Sequence, residues 1–375
     1  MRVMIVVTHL LGTGHLGRAL TLGRGFSTAG HTVMVASGGR PAPHLQAGGA
    51  TLLQLPALAS DGTDFATLLD DTGAPAGEAL FADRRQALRQ ALTDFAPDVL
   101  ITELYPFGRR ILRHEFLDLL EAAEARHPRP MILSSIRDIL APPSKPARAE
   151  AAADVIEAHY DGVLVHSDPA VTRLEASWPL PARIADRLHY TGYVSGPAPE
   201  PHPAAEGQGE VLVSTGGGAV GDPIFAAALG AARLRPDLRF RLLIGGGADR
   251  VAQWTAQAGD GVHVEPVRPD FRQMLCRAAA SVSMCGYNTA MDLLQTGCPS
   301  VIVPFDAGQE VEQSLRAQSL AQLDGFACLP TAEMTPERLA AALDRVQAAQ
   351  RRDVTHLRFD GVGETIRLVT AGLRA

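Results

Sequence analysis

Residues 1–20 read MRVMIVVTHLLGTGHLGRAL. The apolar run at Val3–Thr8 predicts a buried strand, and a helical pattern at His15–Ala29 follows it after a loop that contains glycines. A strand that leads through such a loop into a helix is the first unit of a parallel α/β sheet. The apolar run is too short to cross a bilayer and lacks a small-residue cleavage site, so we expect neither a membrane helix nor a signal peptide.

The same alternation of strand and helix continues along the first half of the chain. Its predicted strands are almost entirely apolar, which is typical of a parallel sheet that is covered on both faces. Further strands are predicted at Thr32–Ala36, Thr51–Leu55, Val99–Thr102, Met131–Ser135 and Gly162–Val165. Further helices are predicted at Glu78–Phe95, Arg109–Arg126 and Pro169–Ser177.

A stretch rich in proline and glycine, residues 196–209, interrupts this pattern and predicts a linker. The alternation then restarts, so we expect two doubly wound α/β domains, residues 1–195 and 210–375, that face each other across a cleft. Strands are predicted at Glu210–Ser214, Phe240–Ile244, Val262–Val267, Ser281–Met284 and Ser300–Pro304. Helices are predicted at Pro223–Leu234, Ala248–Gln257, Phe271–Ala279, Asn288–Gln295, Gln309–Leu323 and Thr335–Ala348.

Composition narrows the class of protein. The chain has 375 residues and a formal net charge of -7, which argues against a nucleic-acid partner. Four cysteines without a CxxC pair indicate a reduced, cytoplasmic protein rather than a disulfide scaffold or a zinc site. The basic groups Arg84-Arg85 and Arg109-Arg110-Arg113 are interpreted as solvated helix faces.

The first candidate site is the loop Gly12-Thr13-Gly14-His15, which opens the first helix. Ligands of open parallel sheets bind beyond the carboxyl ends of the strands, and a helix N-terminus attracts anions. The pattern continues to Gly17 and formally matches a dinucleotide fingerprint. The loop is not tight, however, and the second strand lacks the acidic residue that binds ribose. Arg40 could still serve an NADP phosphate, so a dinucleotide site stays open as an alternative.

His15 is the first candidate for a general base. A helix N-terminus disfavours the imidazolium, which would leave a neutral ring able to accept a proton. The alternative is a histidine that only caps or packs the loop. Glu103 and Asp138 follow other strands and are further candidates for the base. Each of these could instead be a cap or an ion-pair partner.

Two loops of the second half are suited to a nucleotide. Ser214–Asp222 contains three adjacent glycines after a strand and predicts a concavity of N–H groups for phosphate, with Asp222 capping the following helix. Met284–Asp292 leads into a helix that starts near Asn288, whose N-terminus could hold a diphosphate. Asp292 would then reach ribose hydroxyls. The alternative for Asp292 is a solvated acid that favours the helix dipole.

Together these loops resemble the MurG-like glycosyltransferases of the GT-B fold. The similarity includes Gly286-Tyr-Asn-Thr289-Ala-Met-Asp292, Gly297–Phe305 and Glu312–Ala317, and it extends over nearly the whole chain. Within this group the sequence looks most like an uncharacterised branch that also has the motifs Tyr105–Arg110 and Ile136–Ile139. In this family the last stretch of the chain crosses back to the first domain, here Arg358–Leu373.

The resemblance implies a role for each matching residue. Backbone near Val267 would read uracil, Asp292 would bind ribose where the family usually has Glu, and Glu312 and Gln313 would contact the donor sugar. His15 would serve the acceptor. The diphosphate would be held by Thr215, Gly216, Gly217, Gly218, Gly286, Tyr287, Asn288 and Thr289, and the loop Gly12, Thr13 and Gly14 would lie at the acceptor or a phosphate.

The implied function is transfer of a sugar from UDP to an unidentified hydroxyl acceptor, lipid-linked or belonging to the cell envelope, at the inner face of the membrane. No Asp-x-Asp pair is present to chelate a metal, so we expect neither a metal nor another cofactor. An apolar patch beside the basic group Arg109-Arg110-Arg113 could contact lipid, and it consists of Leu104, Phe107, Ile111, Leu112 and Phe116. The alternative is a core helix. Other readings are a UDP-sugar hydrolase in which His15 activates water, and a non-catalytic sugar-nucleotide sensor.

Overall fold

The computed structural model describes residues 1–10, 12–60, 67–216, 220–305 and 311–373. The chain divides into two compact units. The first comprises Met1–Pro169, Arg173–Ser195 and Arg358–Ala375, and the second comprises Ala170–Thr172 and Gly196–Leu357. Among the described residues, no helix is long and apolar enough to span a membrane.

The first unit is built on a seven-stranded parallel sheet with the strand order β3-β2-β1-β4-β5-β6-β7. Side chains of β1 alternate between two apolar clusters, with Met4 and Val6 in one and Val3 and Ile5 in the other. Both faces of the sheet are therefore buried, as the apolar strands predict. The strands are β1 (Arg2–Val7), β2 (Thr32–Ser37), β3 (Thr51–Gln54), β4 (Val99–Glu103), β5 (Met131–Arg137), β6 (Gly162–His166) and β7 (Leu188–Tyr190).

Among the residues that the structure describes, five α-helices cover this sheet. Four of them lie between its strands, and the fifth is the return of the chain after the second unit. Gly25 allows the first and last of these helices to pack closely, because a Cβ there would lie 2.1 Å from Val362 Cγ1. The helices are α1 (Gly14–Thr28), α2 (Glu78–Phe95), α3 (Arg113–Glu124), α4 (Ala147–His159) and α11 (Gly361–Thr370).

The second unit has a six-stranded parallel sheet with the order β10-β9-β8-β11-β12-β13. This is the 3-2-1-4-5-6 order of a doubly wound sheet. Its strands are β8 (Glu210–Ser214), β9 (Arg239–Ile244), β10 (Val262–Pro266), β11 (Ala280–Met284), β12 (Ser300–Val303) and β13 (Phe326–Cys328). Its helices are α5 (Asp222–Leu234), α6 (Ala248–Thr255), α7 (Phe271–Leu275), α8 (Tyr287–Thr296), α9 (Glu312–Leu320) and α10 (Pro336–Ala348).

Several predicted elements differ from the structure. The helix predicted from Arg109 begins later, because Arg109 has the left-handed φ of 59°. Pro169–Ser177 is not a helix beyond a 3-10 turn at Leu174–Ala176, where the N–H of Leu174 donates to the hydroxyl of Tyr190. The cap of α5 is Gly221, with a φ of 88°, and Asp222 is the first helical residue. The start of the predicted helix Gln309–Leu323 lies outside the described residues.

Arg84 is buried, so the interpretation of this residue as part of a solvated helix face is wrong. Its guanidinium on α2 forms a bidentate pair with Glu115 on α3, at 2.7 Å and 2.8 Å. It also donates to the carbonyl of Gly38, 2.9 Å away, just beyond β2. The pair thus ties two helices to the carboxyl-terminal edge of the sheet, which is where ligands of such folds bind.

Residues 196–209 contain neither helix nor strand, as predicted, but they are held against the second unit. The carbonyl of Pro197 accepts from Arg272 at 3.2 Å, and that of Gly196 accepts from Gln295 at 2.8 Å. His202 contacts the carboxylate of Asp270 at 3.0 Å. The segment is therefore an ordered part of the second unit.

Candidate active site

Several of the candidate residues lie at the switch point of each sheet, where the strand order reverses. In the first unit this point lies between β1 and β4, and α1 with His15 follows β1 while Glu103 ends β4. In the second unit it lies between β8 and β11. Gly216 follows β8 and Gly286 follows β11. Each pair of loops therefore flanks the crevice that binds ligands in folds of this type.

His15 and Glu103 are in direct contact. The ring Nδ1 of His15 lies 3.0 Å from Glu103 Oε1, and the His15 side chain is 16% exposed whereas that of Glu103 is 1% exposed. Arg18, one turn further along α1, also donates to Glu103 Oε1. The hydroxyl of Ser135 on β5 donates to the other carboxylate oxygen at 2.8 Å. Glu103 is thus a buried acceptor with three donors around it.

These contacts separate the protonation states of the two groups. Burial raises the pKa of Glu103, but the charge of Arg18 and the hydrogen bonds from His15 and Ser135 outweigh it and bring the pKa down to about 2. Burial lowers the pKa of His15 to about 4, against the opposing effect of Glu103. At neutral pH the site therefore combines an ionised carboxylate with a neutral imidazole. A carboxylate only accepts hydrogen bonds, so it favours the His15 tautomer with a proton on Nδ1 and the lone pair on Nε2.

The other candidate bases occupy different positions. Asp138 is 1% exposed and lies directly after β5. Glu103 has the geometry of an ion-pair partner, which is the alternative to a general base that the sequence left open. His15 is the more exposed member of the His15–Glu103 pair, which suits a group that must reach a substrate.

The loop before α1 leaves room next to its backbone. Thr13 is the N-cap of α1 without a side-chain capping bond, and its carbonyl accepts from Gly17 at 2.8 Å. No described heavy atom lies within 4 Å of where a Cβ on Gly12 or Gly14 would stand. An acceptor group can therefore approach this backbone closely.

The glycine loop after β8 is described only in part. Thr215 is buried, and its hydroxyl donates to the carbonyl of Val220 at 2.9 Å, so it shapes the loop. Gly216 has a φ of 81°, which requires glycine, and Gly217 and Gly218 lie outside the described residues. Arg250 ties this loop to the next one, because it donates to Val220 O at 3.0 Å and to Gly245 O at 2.9 Å.

The third loop presents a helix N-terminus next to open space. Gly286 is the N-cap of α8, with φ −61° and ψ 153°, a conformation that any residue can adopt. No described heavy atom lies within 4 Å of where its Cβ would stand. Tyr287 and Thr289 are half-buried and Asn288 is exposed in the first turn. The N–H groups of this turn can therefore bind an anion at close range.

Asp292 is engaged by a neighbouring arginine. Its Oδ1 accepts from Arg272 Nε at 2.5 Å, and the same guanidinium donates to Gln295 Oε1 at 2.6 Å. Burial raises the pKa of Asp292, and Arg272 opposes this effect. A ribose contact from Asp292 would therefore use Oδ2, and Arg272 would hold the carboxylate for it.

Residues from α9 reach the ends of β11 and β12. Gln313 Oε1 accepts from the backbone N–H of Cys285 and of Phe305, each at 3.1 Å. Gln313 thus links the end of β11 to the end of β12. Glu312 is half-buried in the first turn of α9. Arg316, buried in the same helix, donates to Cys285 O at 3.2 Å and lies over the ring of Tyr287.

Val267 lies just after β10 and is 40% exposed. Its N–H donates to the carbonyl of Ile244 at 3.1 Å. The carbonyl of Val267 is thus the backbone group suited to accept from a base, while its side chain can contact a ring.

The proposed lipid-contacting patch is mostly core. Phe107, Leu112 and Phe116 are buried, and Ile111 is 38% exposed. The alternative of a core helix is therefore correct for these aromatic and leucine side chains. Among the described residues, no group of three or more His, Cys, Asp or Glu side chains is arranged to hold a metal ion.

Comparison with known proteins finds a family match in the second half of the chain. Residues 213–356 match the model of the glycosyltransferase family 28 C-terminal domain. The matched residues lie within the second unit. The chain is 35% identical over 154 residues to a UDP-N-acetylglucosamine--N-acetylmuramyl-(pentapeptide) pyrophosphoryl-undecaprenol N-acetylglucosamine transferase of Mesorhizobium japonicum. This alignment covers 39% of this chain and 41% of that protein. A relative of the same name from Methylorubrum extorquens is 27% identical over 186 residues, covering 46% and 50%. The chain thus spans half or less of the length of these relatives.

Solved structures are similar over almost the full chain. MurG of Acinetobacter baumannii matches with a TM-score of 0.64 at 14% identity, covering 99% of both chains. The glycotransferase of kitacinnamycin matches with a TM-score of 0.62 at 19% identity, covering 99% of this chain and 95% of that one. These likenesses confirm the fold as that of the GT-B glycosyltransferases. The family match and the relatives named above confirm the resemblance to the MurG-like group.

Sequence reasoning missed two residues near Glu103. Ser135 donates to Glu103 and lies next to His166, yet Ser135 stands in a strand that was interpreted only as structure and His166 directly follows another. Arg18 was visible as the residue three positions after His15, on the same face of the helix. No local signal distinguishes Ser135 or His166.

Proposed function

We propose that this chain is a glycosyltransferase that moves a sugar from a nucleoside diphosphate, UDP by preference, to a hydroxyl acceptor. The observation that carries the proposal is the His15–Glu103 pair at the first switch point, in a chain whose second unit has a family 28 domain. The relatives from Mesorhizobium japonicum and Methylorubrum extorquens are named for transfer of N-acetylglucosamine to a lipid-linked acceptor. A UDP-sugar and a lipid-linked or cell-envelope acceptor are therefore the first substrates to test.

In the proposed reaction His15 Nε2 takes the proton of the acceptor hydroxyl. The hydroxyl oxygen forms a bond to the anomeric carbon as the bond from that carbon to the diphosphate oxygen breaks. Glu103, ionised and buried, accepts from Nδ1 and stabilises the imidazolium that forms, in the way a triad carboxylate does. A base held in this way contributes about 100- to 10,000-fold to the rate.

The second unit would hold the donor and stabilise the charge on the leaving diphosphate. The N–H groups at the start of α8, around Gly286, are donors of the kind that stabilise such charge. Arg272 would orient Asp292 toward the ribose. We propose that this set of donors makes a divalent metal unnecessary.

The experiment that tests the proposal is a screen of UDP-sugars, in EDTA, with and without hydroxyl acceptors and lipid extracts, followed by mass spectrometry. Sugar attached to an acceptor, with release of UDP, is the expected result. Free sugar formed at the same rate with or without acceptor would instead indicate a hydrolase in which His15 activates water. Binding of a UDP-sugar without any product would indicate a sensor, and dependence on added metal would contradict the metal-free donor site.

A further inference from the structure

A chain of buried hydrogen bonds continues from Glu103 away from His15. Ser135 Oγ, which donates to Glu103, lies 3.0 Å from Nε2 of His166. The other ring nitrogen, Nδ1, lies 2.8 Å from Thr191 Oγ1. Ser135, His166 and Thr191 are each 1% exposed or less. Four buried side chains of the first unit are thus linked in one line.

The line follows the carboxyl-terminal edge of the sheet. Glu103 ends β4, Ser135 lies near the end of β5, His166 ends β6 and Thr191 follows β7, and these four strands are neighbours in the sheet. Beyond Thr191 the backbone is fixed by the returning chain, because the N–H of Tyr193 donates to Arg358 O at 2.7 Å. The far end of the line is therefore anchored.

Counting donors and acceptors fixes the direction of the hydrogen bonds from Glu103 as far as His166. An ionised Glu103 only accepts, so the single hydroxyl proton of Ser135 is used toward it. Ser135 must then accept from His166, which places the proton of a neutral His166 on Nε2 and leaves Nδ1 as an acceptor. The hydroxyl of Thr191 lies 2.8 Å from this nitrogen and 2.8 Å from the carbonyl of Gly192, so its single proton serves either acceptor. The arrangement satisfies Glu103 and Ser135, as buried polar groups require.

The neutral form of His166 fits its surroundings. Burial and the charge of Arg18 lower the pKa of His166 to about 3, against the opposing charge of Glu103. A charged His166 would put a second buried cation near the Arg18 guanidinium, which already pairs with Glu103. His166 therefore serves this line as a fixed N–H donor at neutral pH.

The position of Arg18 explains why the tautomer of His15 depends on this line of hydrogen bonds. The Arg18 Nη2 lies 3.3 Å from Nδ1 of His15, close to the 3.0 Å that separates Nδ1 from Glu103. An arginine donating to Nδ1 would move the ring proton to Nε2 and leave no lone pair there for an acceptor. The tautomer of His15 thus depends on how firmly the Glu103 carboxylate is held in place.

We propose that Ser135 and His166 are positioning residues that hold the Glu103 carboxylate in the orientation that keeps the His15 proton on Nδ1 and the lone pair on Nε2. The expected effect on sugar transfer rests on the proposed function, whereas the expected tautomer of His15 does not. Partners that orient a histidine through its second nitrogen typically change activity by about 10- to 100-fold when they are removed. We expect that loss in kcat rather than in KM for the donor.

The test is nitrogen-15 NMR of the histidine rings at neutral pH in protein labelled on histidine, with His15 assigned through His15→Gln. In the wild-type protein Nε2 of His15 should show the shift of an unprotonated nitrogen and Nδ1 that of a protonated one. Ser135→Ala removes the donor to Glu103 and His166→Leu removes the donor to Ser135. In both variants the two shifts of His15 should move toward each other as the tautomers mix.

His166→Gln is the matched control, because its amide nitrogen can keep a donor near the position of Nε2. It should retain the wild-type shifts of His15 and most of the transfer rate. Unchanged His15 shifts in Ser135→Ala and His166→Leu, both folded by circular dichroism, would overturn the proposal. So would equal changes in His166→Gln and His166→Leu.

The NMR measurement needs no substrate, so it separates the two proposals. If the wild-type protein transfers no sugar but the His15 shifts move as expected, the proposed function fails and the positioning proposal stands. If the wild-type protein transfers sugar and Ser135→Ala keeps both its kcat and its His15 shifts, the positioning proposal fails alone.

Discussion

The two switch points of this chain differ in the groups that they present: buried, charged side chains at the first and accessible backbone at the second. At the first, His15 and Glu103 belong to a group of buried, charged side chains in which Arg18 and Ser135 donate to one carboxylate. At the second, Gly286 offers backbone next to open space, at the start of a ten-residue helix. One edge is organised around a proton acceptor, and the other leaves room for an anion.

This difference indicates a division of labour. Buried charges cost free energy unless they are paired, so such a group is expected where a protonation state must be fixed. Glycines at a helix N-terminus cost little and expose N–H donors, which is what diphosphate binding requires. The proposed base and the proposed donor site can therefore be disrupted separately.

Removing the base should have the largest effect on the rate. We expect His15→Gln to lower kcat of the proposed transfer by about 100- to 10,000-fold, because the acceptor hydroxyl loses its proton acceptor. The Kd for UDP should stay unchanged, since UDP would bind to the second unit. Kinetics and calorimetry on the same preparation check both parts. A variant that retains full kcat would show that His15 is not the base.

Removing the carboxylate should have the largest effect on stability. Glu103→Gln leaves the Arg18 side chain, 5% exposed, without its counter-charge, so we expect a loss of about 3–5 kcal/mol in the free energy of unfolding. The control is the double variant Glu103→Gln/Arg18→Met, which also removes the buried cation and should recover part of the loss. Urea unfolding measures both. A double variant no more stable than Glu103→Gln would argue against this pairing.

The pH dependence should reflect the lowered pKa of His15. Because the imidazole accepts a proton only when neutral, and its pKa is about 4, kcat/KM should be level between about pH 5 and pH 7. It should fall as the pH drops toward 4. Initial rates across this range, with stability monitored in parallel, check the prediction. A decline centred near the ordinary histidine value of about 6.5 would contradict the buried geometry of His15.

Of the four predicted effects, the one from filling the open space at the second switch point should be the smallest. Gly286→Ala keeps an allowed backbone conformation, so the fold should be unaffected, but its methyl group would meet the diphosphate. Loss of one charge-assisted hydrogen bond, about 1.5–3 kcal/mol, weakens UDP binding by about tenfold or more. Gly259→Ala, which also faces open space in the second unit, is the matched control. Equal Kd values in the two variants would remove Gly286 from the donor site.

Much of this comparison could be predicted from the sequence. Both sheets, the glycine loops and the position of His15 follow from apolar runs that end in glycine-rich turns, because strand ends meet at one edge of a parallel sheet. The short strands β7 and β13 were missed, since runs such as Leu188–Tyr190 are too short to show a period. Helix α4 was also missed, although its sequence Ala147–His159 is rich in alanine.

The buried network could not be predicted, for a physical reason. Arg18 and Glu103 are 85 positions apart, and Ser135 and His166 are 31 apart, so no local pattern links them. His166 ends an apolar strand and looks like a half-buried polar residue until the pairing of β5 with β6 brings its ring to within 3.0 Å of the Ser135 hydroxyl. The same holds for Arg84, whose partner Glu115 lies on another helix.

The central claim is that the donor binds to the second unit and the base belongs to the first. Its most direct test is calorimetric titration of UDP, GDP, TDP and NADPH, in EDTA, into the wild-type protein, His15→Gln and Gly286→Ala. We expect micromolar binding of UDP to the wild-type protein and to His15→Gln alike, and weaker binding to Gly286→Ala. Binding of NADPH without a response to any nucleoside diphosphate would contradict it and would return the loop Gly12–Gly17 to its alternative as a dinucleotide site.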